Sequence, residues 1–138
     1  MPTAPVSQLA GEIPCPLLRE IMSTGFVQTP QGKRVSLVGS ISPDYAVALY
    51  RAIKTYRPKT IIEIGMASGV SSLSMLSALN EIGEGGRLIT IDAFQNDPNA
   101  LWAGVGLANI QRAAAEVLET GRRLDTGSEK PASSEKPS

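Results

Sequence analysis

One stretch of the chain decides the fold: TIIEIGMASGVS, residues 60–71. Apart from Glu63, the residues from Thr60 to Ile64 are apolar or β-branched. This composition predicts a short strand buried on both faces. Residues 65–69 then form a turn with a glycine at each end, and the leucine spacing that follows predicts a helix over residues 71–82. The stretch therefore predicts a strand, a glycine-bounded loop and a helix in immediate succession.

The elements downstream extend this pattern. Leu73, Leu76 and Leu79 are expected to face inward, Arg87 to Ile91 reads as a second strand, and a further helix is expected over about 105–118. Strands alternating with helices at these lengths are typical of parallel crossover units. We therefore expect an α/β fold with a Rossmann-like, doubly wound parallel sheet.

Upstream, the sequence contains a complete helix-start signal. Ser42 is a favourable N-cap, Pro43 suits the first helical position, and Asp44 lies where the helix dipole favours an acid. A helix is predicted over 43–56, and its apolar stripe is expected to consist of Tyr45, Leu49, Ala52, Ile53 and Tyr56.

Composition changes toward both ends. Leu17 to Met22 has helical spacing and stops at Gly25, whereas Gln28 to Ser40 reads as a loop or an irregular extended arm. We expect three segments: an N-terminal arm with a short helix (1–40), a central α/β segment (41–120) and a disordered low-complexity tail (121–138).

Charge and rare residues exclude several classes of function. Lys plus Arg and Asp plus Glu both number 13, so no net charge favours nucleic acid or an anionic membrane. Cys15 is the only cysteine and histidine is absent, which excludes a disulfide framework and a Cys-His or Ser-His-Asp mechanism within this chain. With no basic start to a signal peptide, a cytoplasmic setting is expected.

The residues around the loop have the chemistry of a nucleoside site. Gly65 lets the backbone turn close to a ligand, Gly69 relieves crowding at the helix entrance, and helix N-terminal amides attract an anion. Asp92, which ends the second strand, can accept two hydrogen bonds from a ribose diol. The alternative for Asp92 is a loop cap with Asn96 and Asp97, and the alternative for Ser71 is an ordinary first-turn helix residue.

Details of the loop separate the possible ligands. A dinucleotide fingerprint requires glycine where this chain has Ala67 and Val70, and a phosphate-binding loop requires a lysine after Gly69. Neither pattern is met. Glu63, two residues before the first glycine, belongs to neither pattern.

From Ser42 to Asp92 the chain resembles the class I S-adenosylmethionine-dependent methyltransferases, most closely the catechol and caffeoyl-CoA type O-methyltransferases. The matching features are Ser42-Pro43-Asp44, Glu63-Ile64-Gly65 with Gly69-x-Ser71, and Asp92. The resemblance implies a cofactor site for S-adenosyl-L-methionine formed by Glu63, Gly65, Met66, Ala67, Gly69, Ser71, Asp92 and Ala93. The resemblance covers only the first half of the family's domain. It therefore implies that residues 41–120 are the S-adenosylmethionine-binding half of a methyltransferase domain, and no catalytic residue or metal ligand is carried over.

The function expected from this resemblance is O-methylation of a small molecule, with this chain as a truncated cofactor-binding portion that is inactive alone. The unpaired edge of its sheet would then favour self-association. One alternative is a noncatalytic module that binds S-adenosylmethionine or scaffolds a partner. Another is a nicotinamide-nucleotide protein.

Overall fold

A computed structural model describes residues 5–37, 39–100 and 103–119, so the tail expected over 121–138 lies outside the described residues. The elements, in chain order, are α1 (Val6–Glu12), α2 (Pro16–Thr24), β1 (Phe26–Gln28), β2 (Arg34–Ser36), α3 (Pro43–Tyr56), β3 (Thr60–Ile64), α4 (Val70–Ile82), β4 (Arg87–Ile91) and α5 (Val105–Glu119).

The centre of the fold is the parallel pair β3–β4. The strands lie in register from Thr60 opposite Arg87 to Ile64 opposite Ile91, and α4 connects them and packs on β4. The predicted α/β class with parallel strands is confirmed, and both strands have the predicted bounds. In the described residues this sheet consists of two strands.

Helix α3 begins and ends where its signals predict. Ser42 is the N-cap and its Oγ accepts a hydrogen bond from Tyr45 N at 3.4 Å, while Pro43 occupies the first turn. The predicted apolar stripe is only partly right, because Ile53 is buried and Leu49 packs against the core but the two tyrosines are not buried. Tyr45 and Tyr56 are 71% and 83% exposed, and the buried face consists of Ala46, Val47, Tyr50 and Ile53. Tyrosine tolerates water at its polar end, so Tyr45 and Tyr56 can remain exposed while the face that contains Tyr50 packs on α4.

The segment expected to be a loop or an extended arm forms a β-hairpin. Strands β1 and β2 pair antiparallel, with Val27 opposite Val35, around a turn at residues 30–32. Three-residue strands are too short for alternation to be recognised in the sequence. Tertiary packing stabilises the hairpin, because Val27 is buried in the hydrophobic core.

The core lies on one side of the β3–β4 sheet. Helix α2 ends at Gly25, as predicted, and its apolar residues join those of α3, α4 and the start of α5 in one cluster. The fully buried members include Ile13, Leu17, Leu18, Ala46, Val47, Leu73, Ala78 and Val105. Leu73 and Leu79 of α4 face inward as predicted, and Leu76 is half-buried.

The prediction that β3 is buried on both faces is wrong. Glu63 is buried and Ile61 half-buried on the side toward α4, but Ile62 and Ile64 are 65% and 85% exposed. The described helices cover a single face of the sheet, so apolar residues on the other face contact solvent. No helix among the described residues is long and apolar enough to span a membrane.

Candidate functional site

The loop between β3 and α4 is held in an unusual backbone conformation. Gly65 and Gly69 both have φ of 85°, and Ala67 between them has φ of 46°. Gly65 N donates to Ile91 O at 2.8 Å, which extends the strand pairing by one residue before the chain turns. A positive φ is costly for a residue with a Cβ, so the alanine conformation depends on contacts around the loop.

Asp92 makes those contacts from the end of β4. Its Oδ2 accepts from Met66 N at 2.7 Å and from Ala67 N at 2.9 Å, and its Oδ1 accepts from Phe94 N at 2.8 Å. The structure thus brings three of the predicted site residues together. It also supports the alternative that Asp92 caps a loop, although the amide partners are Phe94 and the glycine loop rather than Asn96 or Asp97.

The ionisation of Asp92 follows from this geometry. Burial opposes the charged form, but the three backbone N–H donors and the Gln95 amide outweigh burial. Hydrogen bonds to a carboxylate favour its ionised form. They hold the pKa of Asp92 below its usual value, so the side chain is a fixed negative charge beside the loop.

Glu63 is held differently, by hydroxyl groups. Its Oε2 accepts from Ser71 Oγ, and its Oε1 accepts from Ser72 Oγ and from Thr90 Oγ1, the last at 3.1 Å. Glu63 as a whole is 9% exposed, and its carboxylate lies against the first turn of α4, where the helix dipole favours a negative charge. Glu63 and Ser71 are therefore neighbours, as a shared site requires.

The remaining predicted residues differ in accessibility. Gly65 and Ala93 are exposed and Ala67 is half-buried, whereas Met66 and Gly69 are buried. A methyl group at Gly65 would meet no atom within 4 Å, but one at Gly69 would lie 3.2 Å from Gly106 O. Open space for a ligand thus lies at the Gly65 end of the loop. Toward Gly69 the loop is covered by α5.

Two buried amides around the loop were missed in the sequence. Gln95, 6% exposed, donates from Nε2 to Ala67 O at 2.8 Å and accepts through Oε1 from Leu107 N at 3.4 Å. Asn109, fully buried, donates from Nδ2 to Ser68 O at 2.8 Å. Neither amide belongs to a recognisable sequence pattern, and both make these contacts only because the chain folds back onto the loop.

A cavity of about 380 Å³ lies away from these residues. It is open to solvent on one side and is lined by the start of α2, by α4 and by α5, with Cys15, Leu73, Leu76 and Ile110 in its wall. Burial raises the pKa of the Cys15 thiol above its usual value, which disfavours the reactive thiolate. The cavity is apolar and offers no acid to a nucleoside, so the loop remains the candidate site.

The arrangement offers a hydrogen-bond acceptor and open space side by side at the carboxyl edge of the sheet. Asp92 Oδ1 has two acceptor positions and one described bond, so it can accept from a ribose hydroxyl. The open side of Gly65 admits a ligand close to the backbone. No protein-family profile, curated protein or solved structure matches this chain.

Proposed function

We propose that this chain is the cofactor-binding half of an S-adenosylmethionine-dependent methyltransferase of the doubly wound class, acting on an oxygen of a small molecule. One observation carries the proposal. The Asp92 carboxylate, at the end of β4, lies beside the open turn at Gly65, at the end of β3. In parallel α/β sheets, ligands bind outside the carboxyl ends of neighbouring strands, which is where these groups meet.

Each group has a chemical role in the proposed complex. The exposed Gly65 backbone accommodates the methionine end, and Asp92 Oδ1 accepts from the ribose. Glu63 supplies negative charge for the ammonium group, and Ser71 can turn its hydroxyl toward the methionine carboxylate. The cofactor supplies a methyl group already activated by its sulfonium, so the residues of the protein have to orient it and exclude water.

A matched pair of glycine variants tests the binding site. Gly65 and Gly32 have φ of 85° and 82°, and neither has an atom within 4 Å of an added methyl group. Gly65→Ala and Gly32→Ala therefore carry the same backbone strain. By calorimetry, the parent chain and Gly32→Ala should bind S-adenosylhomocysteine equally, and Gly65→Ala should bind about tenfold more weakly because its methyl group enters the site.

The same titrations separate the competing functions. Binding of NAD instead of S-adenosylhomocysteine would identify a nicotinamide-nucleotide protein. If neither ligand binds, or if the two variants lose affinity equally, the loop is only a structural turn and the proposal is overturned.

A noncatalytic role is the second candidate, and the hydrogen bonding of the two acids favours it. Glu63 and Asp92 both satisfy their oxygens mainly within the chain, as scaffold residues do. In a radioactive methyl-transfer assay with catechol-like acceptors, turnover would exclude a noncatalytic module, whereas cofactor binding without turnover is compatible with both candidates. We expect no turnover by this chain alone. We also propose a cytoplasmic location for it.

Self-association through the sheet edge, which the sequence leads us to expect, stays a prediction. In the described residues β3 and β4 pair only with each other, so each strand has an outer edge with unpaired backbone groups.

A further inference from the structure

The uncovered face of the β3–β4 sheet is a block of four isoleucines, here called the isoleucine face: Ile62, Ile64, Ile89 and Ile91. Ile62 lies opposite Ile89 and Ile64 opposite Ile91, so the four side chains are contiguous. Their exposed fractions are 65%, 85%, 44% and 57%, respectively. Alternate residues of both strands point to the other face, where Glu63 is buried beneath α4.

Such a face is unusual for a parallel sheet. Parallel strands normally have both faces covered, and soluble monomers seldom leave an apolar patch of several hundred Å² in water. The four isoleucines expose roughly 500 Å², so packing two such faces together removes on the order of 1,000 Å², which reaches the lower limit for a specific interface.

The composition of the chain indicates what covers this face. Residues 120–138 contain a single large aliphatic side chain, Leu124, among glycine, serine, proline and charged residues, so that segment offers little apolar surface. A second copy offers an identical apolar block. Because positive and negative side chains are equal in number, no net charge opposes the approach of two copies.

We propose that the chain forms a two-fold dimer in which the isoleucine face packs against the isoleucine face of a second copy. In a two-fold interface the same patch serves both partners, so the contact closes after two chains. Pairing at the strand edges would behave differently, because two free edges on each chain allow growth beyond a dimer. The proposal involves neither the glycine loop nor Asp92 and is independent of cofactor binding.

Sedimentation equilibrium of the full chain over a wide concentration range provides the test. The mass should rise to about 29 kDa, twice the 14.5 kDa of one chain, and stop there. Ile64→Glu, at the most exposed position of the face, should weaken dimerisation by roughly 100-fold because each copy would bury an unpaired charge. The matched control is Tyr56→Glu, which changes a side chain that is 83% exposed on α3 and should leave dimerisation unchanged.

Circular dichroism of each variant tests whether it is folded. Ile64→Thr, which retains a β-branched side chain, provides a second variant if the glutamate disrupts β3, and its dimer should also be weaker than that of the parent. A mass of one chain at every concentration, growth past two chains, or unchanged association of folded Ile64 variants would each overturn the proposal.

Discussion

The two ends of the loop at residues 65–69 carry the same residue in the same conformation for different reasons. Gly65 and Gly69 both have φ of 85°, but only Gly65 faces open space. Gly69 lies against the backbone of Gly106 in the first turn of α5, and a methyl group at Gly106 would lie 2.6 Å from Ala67 O. One glycine leaves room for a ligand, and the other leaves room for the protein itself.

This difference shows what a glycine motif can and cannot report. Spacing in the sequence reveals that the backbone must turn, since glycine tolerates a positive φ. It does not reveal whether the space beside the glycine is filled by a helix or by a cofactor. Substitutions at each end of the loop therefore measure packing against α5 and access for a ligand separately.

The largest effect is expected on the closed side, at Gly106. Gly106→Ala places a methyl group 2.5 Å from Met66 Sδ and 2.6 Å from a backbone oxygen, so the helix or the loop must shift. We expect the free energy of unfolding in urea to fall by about 2 to 3 kcal/mol. In Gly11→Ala, in α1, the added methyl group meets no atom within 4 Å, so the free energy of unfolding should rise by about 0.5 kcal/mol. Equal effects would show that α5 does not pack on the loop.

The next effect concerns Asp92, which holds the open end. Asp92→Ala removes the acceptor of two loop amides, and we expect a loss of about 1 to 2 kcal/mol in urea unfolding. Asp44→Ala, an exposed acid in the first turn of α3, should cost only about 0.5 kcal/mol. A cost for Asp92 no larger than that for Asp44 would remove Asp92 from the support of the loop.

A smaller effect, of opposite sign, is expected between the two glycines. Ala67→Gly relieves a residue with a Cβ from its φ of 46° and should raise the free energy of unfolding by about 0.5 kcal/mol. Ala48→Gly, at an exposed position within α3, should lower it by about 1 kcal/mol. Thermal melts of both variants check the sign, and destabilisation by Ala67→Gly would mean that the loop is unstrained.

The smallest effect is a dependence on acid. The folded state lowers the pKa of Asp92 from its ordinary value of 3.8, so this group contributes stability above that pH, and the contribution is lost as the pH falls through the folded pKa. Urea unfolding from pH 6 downward should therefore show a steeper loss for the parent chain than for Asp92→Asn. Parallel curves of stability against pH for the two proteins would show that the hydrogen bonds from the amides to the Asp92 carboxylate add no stability.

Local signals in the sequence determined the elements around the loop. Strand β3, strand β4 and helix α3 have their predicted bounds because caps, prolines and β-branched runs act within a few residues. The same local chemistry identified Glu63 and Asp92 as the acids that end neighbouring strands, and the parallel register places both beside the loop.

Tertiary structure alone decided which surfaces these elements present. Periodicity suggested a buried stripe with Tyr45 and Tyr56 on α3 and a strand covered on both faces, but the partners available in space buried Ala46 and Val47 and left Ile64 in water. Likewise, only the return of the chain onto the loop gave Gln95 and Asn109 their contacts and closed the Gly69 end. The physical reason is that propensity and capping act between near neighbours, whereas burial depends on what the rest of the chain brings to each face.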